Sequence, residues 1–329
     1  MFARLFHGCR LATALAAGLT LAAISVDHAR AEYPDRPISL IVCFPAGGGT
    51  DVAVRMINVQ LGEALGKPVI IENRGGAGGS LASSFVARAT PDGYTLLACS
   101  SAFVVNPSLY AHVNYDPIKD FIPLMAIGAS ANVFVVPEQS KIKTMKDFIA
   151  EAKANPGRLN WTSPGAGTTP QLAGEILRVK TGIDMVHIPF AGAGPAMTAV
   201  LGGQVDMYTA NYGSITGLIS SGKVRVLAVG APKRLADLPD VPTLEELGIK
   251  DSSTDNFQGI FAPAGTPQPI IDKLAKTLDE ILARPDIKEK YVKLGLPVVA
   301  EGPAAFRARV AHEVPMYREI IEKAGLKIN

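Results

Sequence analysis

From Ile38 to Phe44 the chain runs as a short apolar, β-branched stretch. After it the apolar positions change period. Ala53, Met56, Ile57, Leu61, Ala64 and Leu65 fall on one helical face until Gly66 and Pro68 stop the pattern. Residues 68–72 predict a second strand, and Arg74-Gly75-Gly76-Ala77-Gly78-Gly79-Ser80 opens a second helix with Ser80 as its expected N-cap. Residues 94–98 predict a third strand. Strand–helix–strand–helix–strand at this spacing predicts a parallel α/β sheet with right-handed crossovers. The Gly- or Ser-rich turns at 45–51, 74–80 and 100–101 then share its carboxyl edge, where open α/β sheets bind ligands.

A second unit begins near Val133–Val136. Residues 145–154 read as a helix and 159–162 as a strand, and Pro164-Gly165-Ala166-Gly167-Thr168-Thr169-Pro170 turns into the next helix. Thr169 is placed to cap that helix, with Pro170 at its first position, where proline is favoured. Helix 195–202, strand 205–208, helix 213–221 and strand 224–229 continue the alternation. The device of the first half therefore returns in the second, without a residue-level repeat. Residues 238–243 and 251–256 read as connecting loops and 259–263 as a strand. Long helices follow at 267–283 and 303–324, with a kink or break expected at Pro315.

The N-terminus stands apart. Arg4 and Arg10 precede a charge-free Ala/Leu-rich run from Leu11 to Val26, and Ala29-Arg30-Ala31 follows as an A-x-A cleavage site before Glu32. Sixteen weakly apolar residues fall short of the roughly 20 that span a bilayer. Cys9 precedes the run, so it is not a lipid-anchoring cysteine after it. These features predict export to the periplasm. Cleavage changes the charge: the 32 basic and 30 acidic residues of the 329-residue chain lose three arginines and one aspartate, leaving 29 of each. A neutral chain lacks the basic footprint of a nucleic-acid binder. With 48% hydrophobic and 19% charged residues it is globular. Only His112, His187 and His312 remain, too few to suggest a metal cage. Cys43 and Cys99 both end strands of the first unit; they either pair in the oxidising compartment or lie as plain core residues.

Catalytic motifs are sparse in the chain. There is no G-x-S-x-G elbow, no H-E-x-x-H and no C-x-x-C, and the three histidines have no nucleophile beside them in sequence. Gly217–Lys223 has P-loop spacing, but Val224 replaces the required hydroxyl residue, and the segment leads from helix to strand. Gly47–Gly49 fails G-x-G-x-x-G at Val52. The glycine turns remain. A helix start offers unpaired N–H groups and roughly half a positive charge, and two such turns in different units, with Ser100-Ser101 at a third strand end, predict a cleft for a small anion. Asp51 either caps its helix or faces the cleft, where it would meet a hydroxyl, amine or water. Phe190, Tyr208 and Tyr212 are candidate walls or core residues.

The same stretches carry a resemblance. Pro45-Ala46-Gly47-Gly48-Gly49-Thr50-Asp51 with Arg55, Glu72-Asn73-Arg74-Gly75-Gly76-Ala77-Gly78-Gly79 and Pro91-Asp92-Gly93-Tyr94-Thr95-Leu96-Leu97 resemble the Bug receptors, the extracytoplasmic solute receptors of tripartite tricarboxylate transporters. So do Leu201-Gly202-Gly203-Gln204-Val205-Asp206-Met207, Pro239-Asp240-Val241-Pro242-Thr243 and Phe261-Ala262-Pro263-Ala264-Gly265-Thr266-Pro267. The resemblance implies a type II periplasmic-binding-protein fold of two α/β lobes with a ligand cleft between them and two crossover strands. Lobe 1 is expected from 32–131 plus 257–329, and lobe 2 from 132–256, after a signal peptide at 1–31. It implies a carboxylate held by the two glycine loops. Phe44, Ala46, Gly48, Thr50, Asp51 and Ser100 would line lobe 1. Ala166, Gly167, Thr168, Thr169, Phe190 and Asn211 would line lobe 2.

Two positions depart from that pattern. Phe190-Ala191 stands where many members have tyrosine and a basic residue, and Ala210 where many have aspartate. A ligand with an apolar far end, an aromatic or short-chain carboxylate rather than citrate, is the expectation. The expected activity is that of a monomeric, cofactor-free receptor that is not an enzyme and delivers its ligand to a two-component membrane permease. Presentation to a sensor is the alternative, and a periplasmic hydrolase a weaker one.

Overall fold

The computed structural model describes residues 33–326, except Ala166, Gly167 and Ala191. The expected signal peptide and its cleavage site lie outside the described residues. The first sheet is built from β1 (Ile38–Val42), β2 (Val69–Asn73), β3 (Thr95–Ser100) and β4 (Phe121–Ser130). Between them lie α1 (Gly49–Arg55), α2 (Asn58–Leu65), α3 (Ser80–Val86) and α4 (Ala102–Leu109). The second sheet is formed by β5 (Asn132–Pro137), β6 (Asn160–Ser163), β7 (Val186–Pro189), β8 (Met207–Asn211) and β9 (Val224–Gly230). Its helices are α5 (Met145–Ala154), α6 (Thr169–Thr181), α7 (Ala193–Leu201) and α8 (Tyr212–Ser220). Then β10 (Asn256–Pro263) returns to the first sheet, followed by α9 (Gln268–Ala283), α10 (Pro285–Lys293) and α11 (Pro303–Ala324).

The strand orders are β2-β1-β3-β10-β4 and β7-β6-β8-β5-β9. Both follow one plan. Three parallel strands, β2-β1-β3 or β7-β6-β8, are flanked by an antiparallel strand, β10 or β5, and then by a last strand. The chain passes between sheets twice. Ala131 alone separates β4 from β5, and residues 231–255 lead from β9 to β10. Alternate residues of β5 serve opposite faces, as a pleated strand must: Phe134 and Val136 join the core around Trp161 and Phe148, while Val133 and Val135 join the one around Tyr208 and Ile215.

Several local expectations shift. The helical pattern over 53–65 is two helices, interrupted at Ile57, whose φ of −121° leaves the helical region. Gly79, not Ser80, precedes α3; Ser80 is its first residue, and its hydroxyl accepts from the Asn106 amide. Gly79 has φ 98°, and a Cβ there would lie 3.0 Å from Cys43 Sγ, so this position excludes a side chain on two counts. Thr168, not Thr169, caps α6 by accepting from Gln171 N, which moves Pro170 to the second position. The strand expected over 205–208 is β8, shifted to Met207–Asn211. α11 runs through Pro315 without a break.

Cys43 and Cys99 are bridged, with Cα atoms 5.3 Å apart. The parallel pairing of Val42 with Ala98 leaves the two cysteines opposite each other at the end of adjacent strands. The first core gathers around this bridge with Phe103, Phe257, Phe261 and Phe306. Leu172 and Ile176 of α6 belong to that same core although α6 follows a strand of the second sheet.

Candidate functional site

Where the helix starts of both sheets converge, the molecule has a cleft of about 320 Å³. From the first sheet's side it is lined by Phe44 after β1, Ser100 at the end of β3, and Ala102, Val105, Asn106 and Tyr110 on or just after α4. Gly78 and Asn256 complete this wall. The other wall is Pro164, Thr168, Thr169, Pro170 and Asn211, at the carboxyl ends of β6 and β8. A larger groove of about 450 Å³ lies between α2 and the start of β2, on the far side of β1, away from these helix starts.

The cleft's donors are placed by local rules. Ser100 Oγ accepts from Ala102 N at 3.3 Å, which tightens the entry to α4. Thr168 Oγ1 donates to Gly165 O at 2.7 Å while capping α6, so one hydroxyl shapes both the loop and the helix start. Asn106 donates to Gly78 O at 2.8 Å and to Ser80 Oγ at 3.2 Å, tying the second glycine loop to α4. Asn211 and Asn256 each carry a buried Oδ1 without a hydrogen-bond partner among the described residues. The lining contains no Lys, Arg, His, Asp or Glu among the described residues.

Of the residues expected in the site, Phe44, Ser100, Thr168, Thr169 and Asn211 are brought together here. Ala166 and Gly167 lie outside the described residues. Ala46, Gly48, Thr50 and Asp51 do not line the cavity, and the reason is physical. Asp51 is 2% exposed and turns back into its own loop, accepting from Gly47 N at 2.8 Å, from Asn73 at 2.9 Å and from Arg55 at 2.9 Å. A protein carboxylate thus occupies the anion position that the first glycine loop offers, in the first turn of α1, where the helix dipole favours it. Arg55, with Gly47 N–H and Asn73, holds the Asp51 carboxyl down to about 2 against the opposing effect of burial. Gly48 N is spent on Pro45 O, and Ala46 is exposed. Thr50 donates to Gln258 Oε1 at 2.6 Å, linking α1 to β10. Phe190 packs against the second sheet's core, Tyr208 is fully buried there, and Tyr212 donates to Asp237 at 2.9 Å. These three aromatics are not among the lining residues.

Eight lining residues were not among those expected from sequence: Gly78, Ala102, Val105, Asn106, Tyr110, Pro164, Pro170 and Asn256. Ala102, Val105 and Asn106 lie on α4 and Tyr110 directly after it, and Pro107 inside the helix breaks the sequence pattern by which helices are recognised. Its only signal was position: it follows Ser100-Ser101 at a strand's carboxyl end. A serine–histidine contact was missed too. Ser163 Oγ lies 2.8 Å from His187 Nε2, with Gln171 Nε2 3.4 Å from Nδ1. Ser163 is fully buried and also donates to Gly165 O at 3.2 Å. The pair therefore pins the loop before α6 and offers no accessible nucleophile. Burial beside Trp161 pushes the imidazole down to about 4, so His187 is neutral at ordinary pH. Among the described residues no group of three or more His, Cys, Asp or Glu is gathered to hold a metal, and no helix is long and apolar enough to cross a membrane.

Residues 53–326 match the family model of the tripartite tricarboxylate transporter family receptor. A relative from Cupriavidus necator, the UPF0065 protein in the gbd 5' region, is 37% identical over 95% of this chain and 95% of its own length. A solved TctC solute binding protein from Polaromonas is similar at 30% identity and a TM-score of 0.82, covering 88% of this chain and 99% of that one. MatC from Rhodopseudomonas palustris, solved with bound malate, is 30% identical with a TM-score of 0.68, over 88% of this chain and 100% of its own. Two α/β lobes in the periplasmic-binding-protein arrangement are common ground between these structures and the two sheets described above.

Proposed function

Because the chain belongs to the tripartite tricarboxylate transporter receptor family, we propose that it captures a small organic carboxylate in the cleft between its sheets and hands it to the transporter's membrane components. The observation that carries this reading is the cleft itself: Ser100, Thr168, Thr169 and Asn211 converge on one cavity from two lobes joined by two crossovers. The Ser100 and Thr169 hydroxyls and helix-start N–H groups are suited to hold a carboxylate without a formal cation. Malate in the related MatC is a ligand of that kind. Binding rather than turnover fits the side chains present, since the Ser163–His187 contact is buried beneath the loop. Export to the periplasm with cleavage before Glu32, action as a monomer, and lobe boundaries near Ala131 and Asn256 belong to the same proposal.

A thermal-shift screen of the chain from Glu32 onward against organic acids tests it. Ligand at about 100 times its dissociation constant stabilises by roughly 2.7 kcal/mol, which raises Tm by several degrees at this size. Ser100→Ala with Thr169→Val is expected to abolish the shift while leaving the Tm of the unliganded protein within about 2 °C. A shift that survives both changes places the ligand elsewhere. No shift with any organic acid refutes the receptor reading.

A further inference from the structure

The cleft's charge and its apolar wall together restrict what it can hold. Its described lining has no ionised side chain. The arginines of the first glycine loops are engaged elsewhere. Arg55 bonds Asp51 and Asn73, and Arg74 bonds Glu72 and stacks on Phe85. Positive potential comes instead from the starts of α4, α6 and α8, each worth roughly half a charge at most. Much of their donor capacity is already used. Ala102 N donates to Ser100 Oγ, Gln171 N to Thr168 Oγ1 and Tyr212 N to Ala131 O, and Pro170 has no N–H. What remains is a field of partial charges and neutral donors, with no formal cation among the described lining residues. A second carboxylate would give up water against an apolar wall with no countercharge among the described lining residues. The rest of the wall suits hydrocarbon: Phe44, Ala102, Val105, Pro164, Pro170 and the ring of Tyr110.

Building on the receptor reading, we infer that the ligand is a monocarboxylate with an apolar body, alkyl or aromatic. Its single carboxylate lies toward the starts of α4 and α6, and its hydrocarbon lies against Phe44, Val105 and Tyr110. This selectivity sets the chain apart from its malate-bound relative. It follows from the lack of an ionised side chain among the described lining residues together with the apolar wall they form.

Hexanoate and adipate share a six-carbon chain and differ in the second carboxylate, which makes them the decisive pair. Titration calorimetry of the chain from Glu32 onward with hexanoate, benzoate, adipate and citrate is expected to show one of the monocarboxylates binding at least about tenfold more tightly than either polyacid. Adipate or citrate binding as tightly as both monocarboxylates overturns the inference and leaves the receptor reading intact. Silence from all four also overturns it, and the wider organic-acid screen then decides the receptor reading separately. In a second arm, Tyr110→Lys places a cation on the half-buried cleft wall and is expected to raise adipate affinity relative to hexanoate at low salt, with circular dichroism confirming the fold. An unchanged ratio in a folded Tyr110→Lys protein contradicts the assignment of that wall.

Discussion

Asp51 carries a charge into a position with almost no solvent, and three donors make it tolerable there: Gly47 N–H, the Asn73 amide and Arg55. Since these hold its carboxyl near 2 while an unfolded aspartate titrates near 3.8, the native state binds fewer protons than the unfolded one between those values. The stability Asp51 contributes is therefore complete above about pH 4–5 and is lost as pH falls through the folded value. Asp51→Asn is expected to cost about 2 kcal/mol at pH 7 and to flatten the acid limb of stability between pH 4 and 2. Urea midpoints measured across that range check both. Equal slopes in the two proteins would mean that other carboxylates set the acid limb. The same residue shows why its role was undecided in sequence: an aspartate in a first helical turn satisfies a cap and a cleft equally well, and only the approach of Asn73 from β2 decides between them.

At the scale of elements, the disulfide holds β1 to β3 at the edge from which the cleft is built. It closes a loop spanning 56 residues, so removing it enlarges the unfolded ensemble substantially. Cys43→Ala with Cys99→Ala is expected to lower stability by about 2–4 kcal/mol, read as a lower denaturant midpoint under oxidising conditions and no change on adding reductant. A reductant-sensitive midpoint in that double variant would exclude this account. Compartment and strand-end position raised the pairing as a possibility, but adjacency of the two strands is a property of the sheet. Helices fared unevenly for a similar reason. Residues 145–154 matched their pattern because Thr144 and Asp147 form a complete capping box. β4 went unread because Pro123 and Gly128 interrupt it, although as a last strand it tolerates proline and lets Leu296 close on Gly128.

At the scale of the molecule, the second crossover ends at Asp255, where one guanidinium answers three acids. Arg309 of α11 bonds Asp255, Glu301 at 3.3 Å and Glu313 at 2.7 Å. Arg309 also lies over Phe257. Burial, with Asp255 and Glu301 close by, pushes the Glu313 carboxyl up to about 7 despite Arg309, and burial raises Asp255 as well. Between about pH 4.5 and 7 the native state thus holds a proton that the unfolded chain has released. The contribution is complete below the unfolded value and lost as pH rises through 7. Glu313→Gln is expected to gain Tm relative to the parent at pH 8 and not at pH 5. A constant difference across that range would show that Glu313 is ionised throughout. No pattern in the sequence foretold this cluster, whose members lie at 255, 301, 309 and 313 and meet only because β10 and α11 pack together.

The sequence alone determined the alternation of strand and helix, the repetition of one plan in two halves, the glycine turns at strand ends and the family. Each of these is written in local periodicity, turn chemistry or contiguous motifs, which need no partner to be read. Tertiary structure decided that Cys43 meets Cys99, that Asp51 fills the first loop itself, and that α4 walls the cleft. It also joined α6 to the first core and placed Ser163 against His187. These are distances between residues remote in the chain, fixed by which strands pair and which helices pack. A linear pattern records what each residue can do, while burial and neighbours select which of those possibilities is realised.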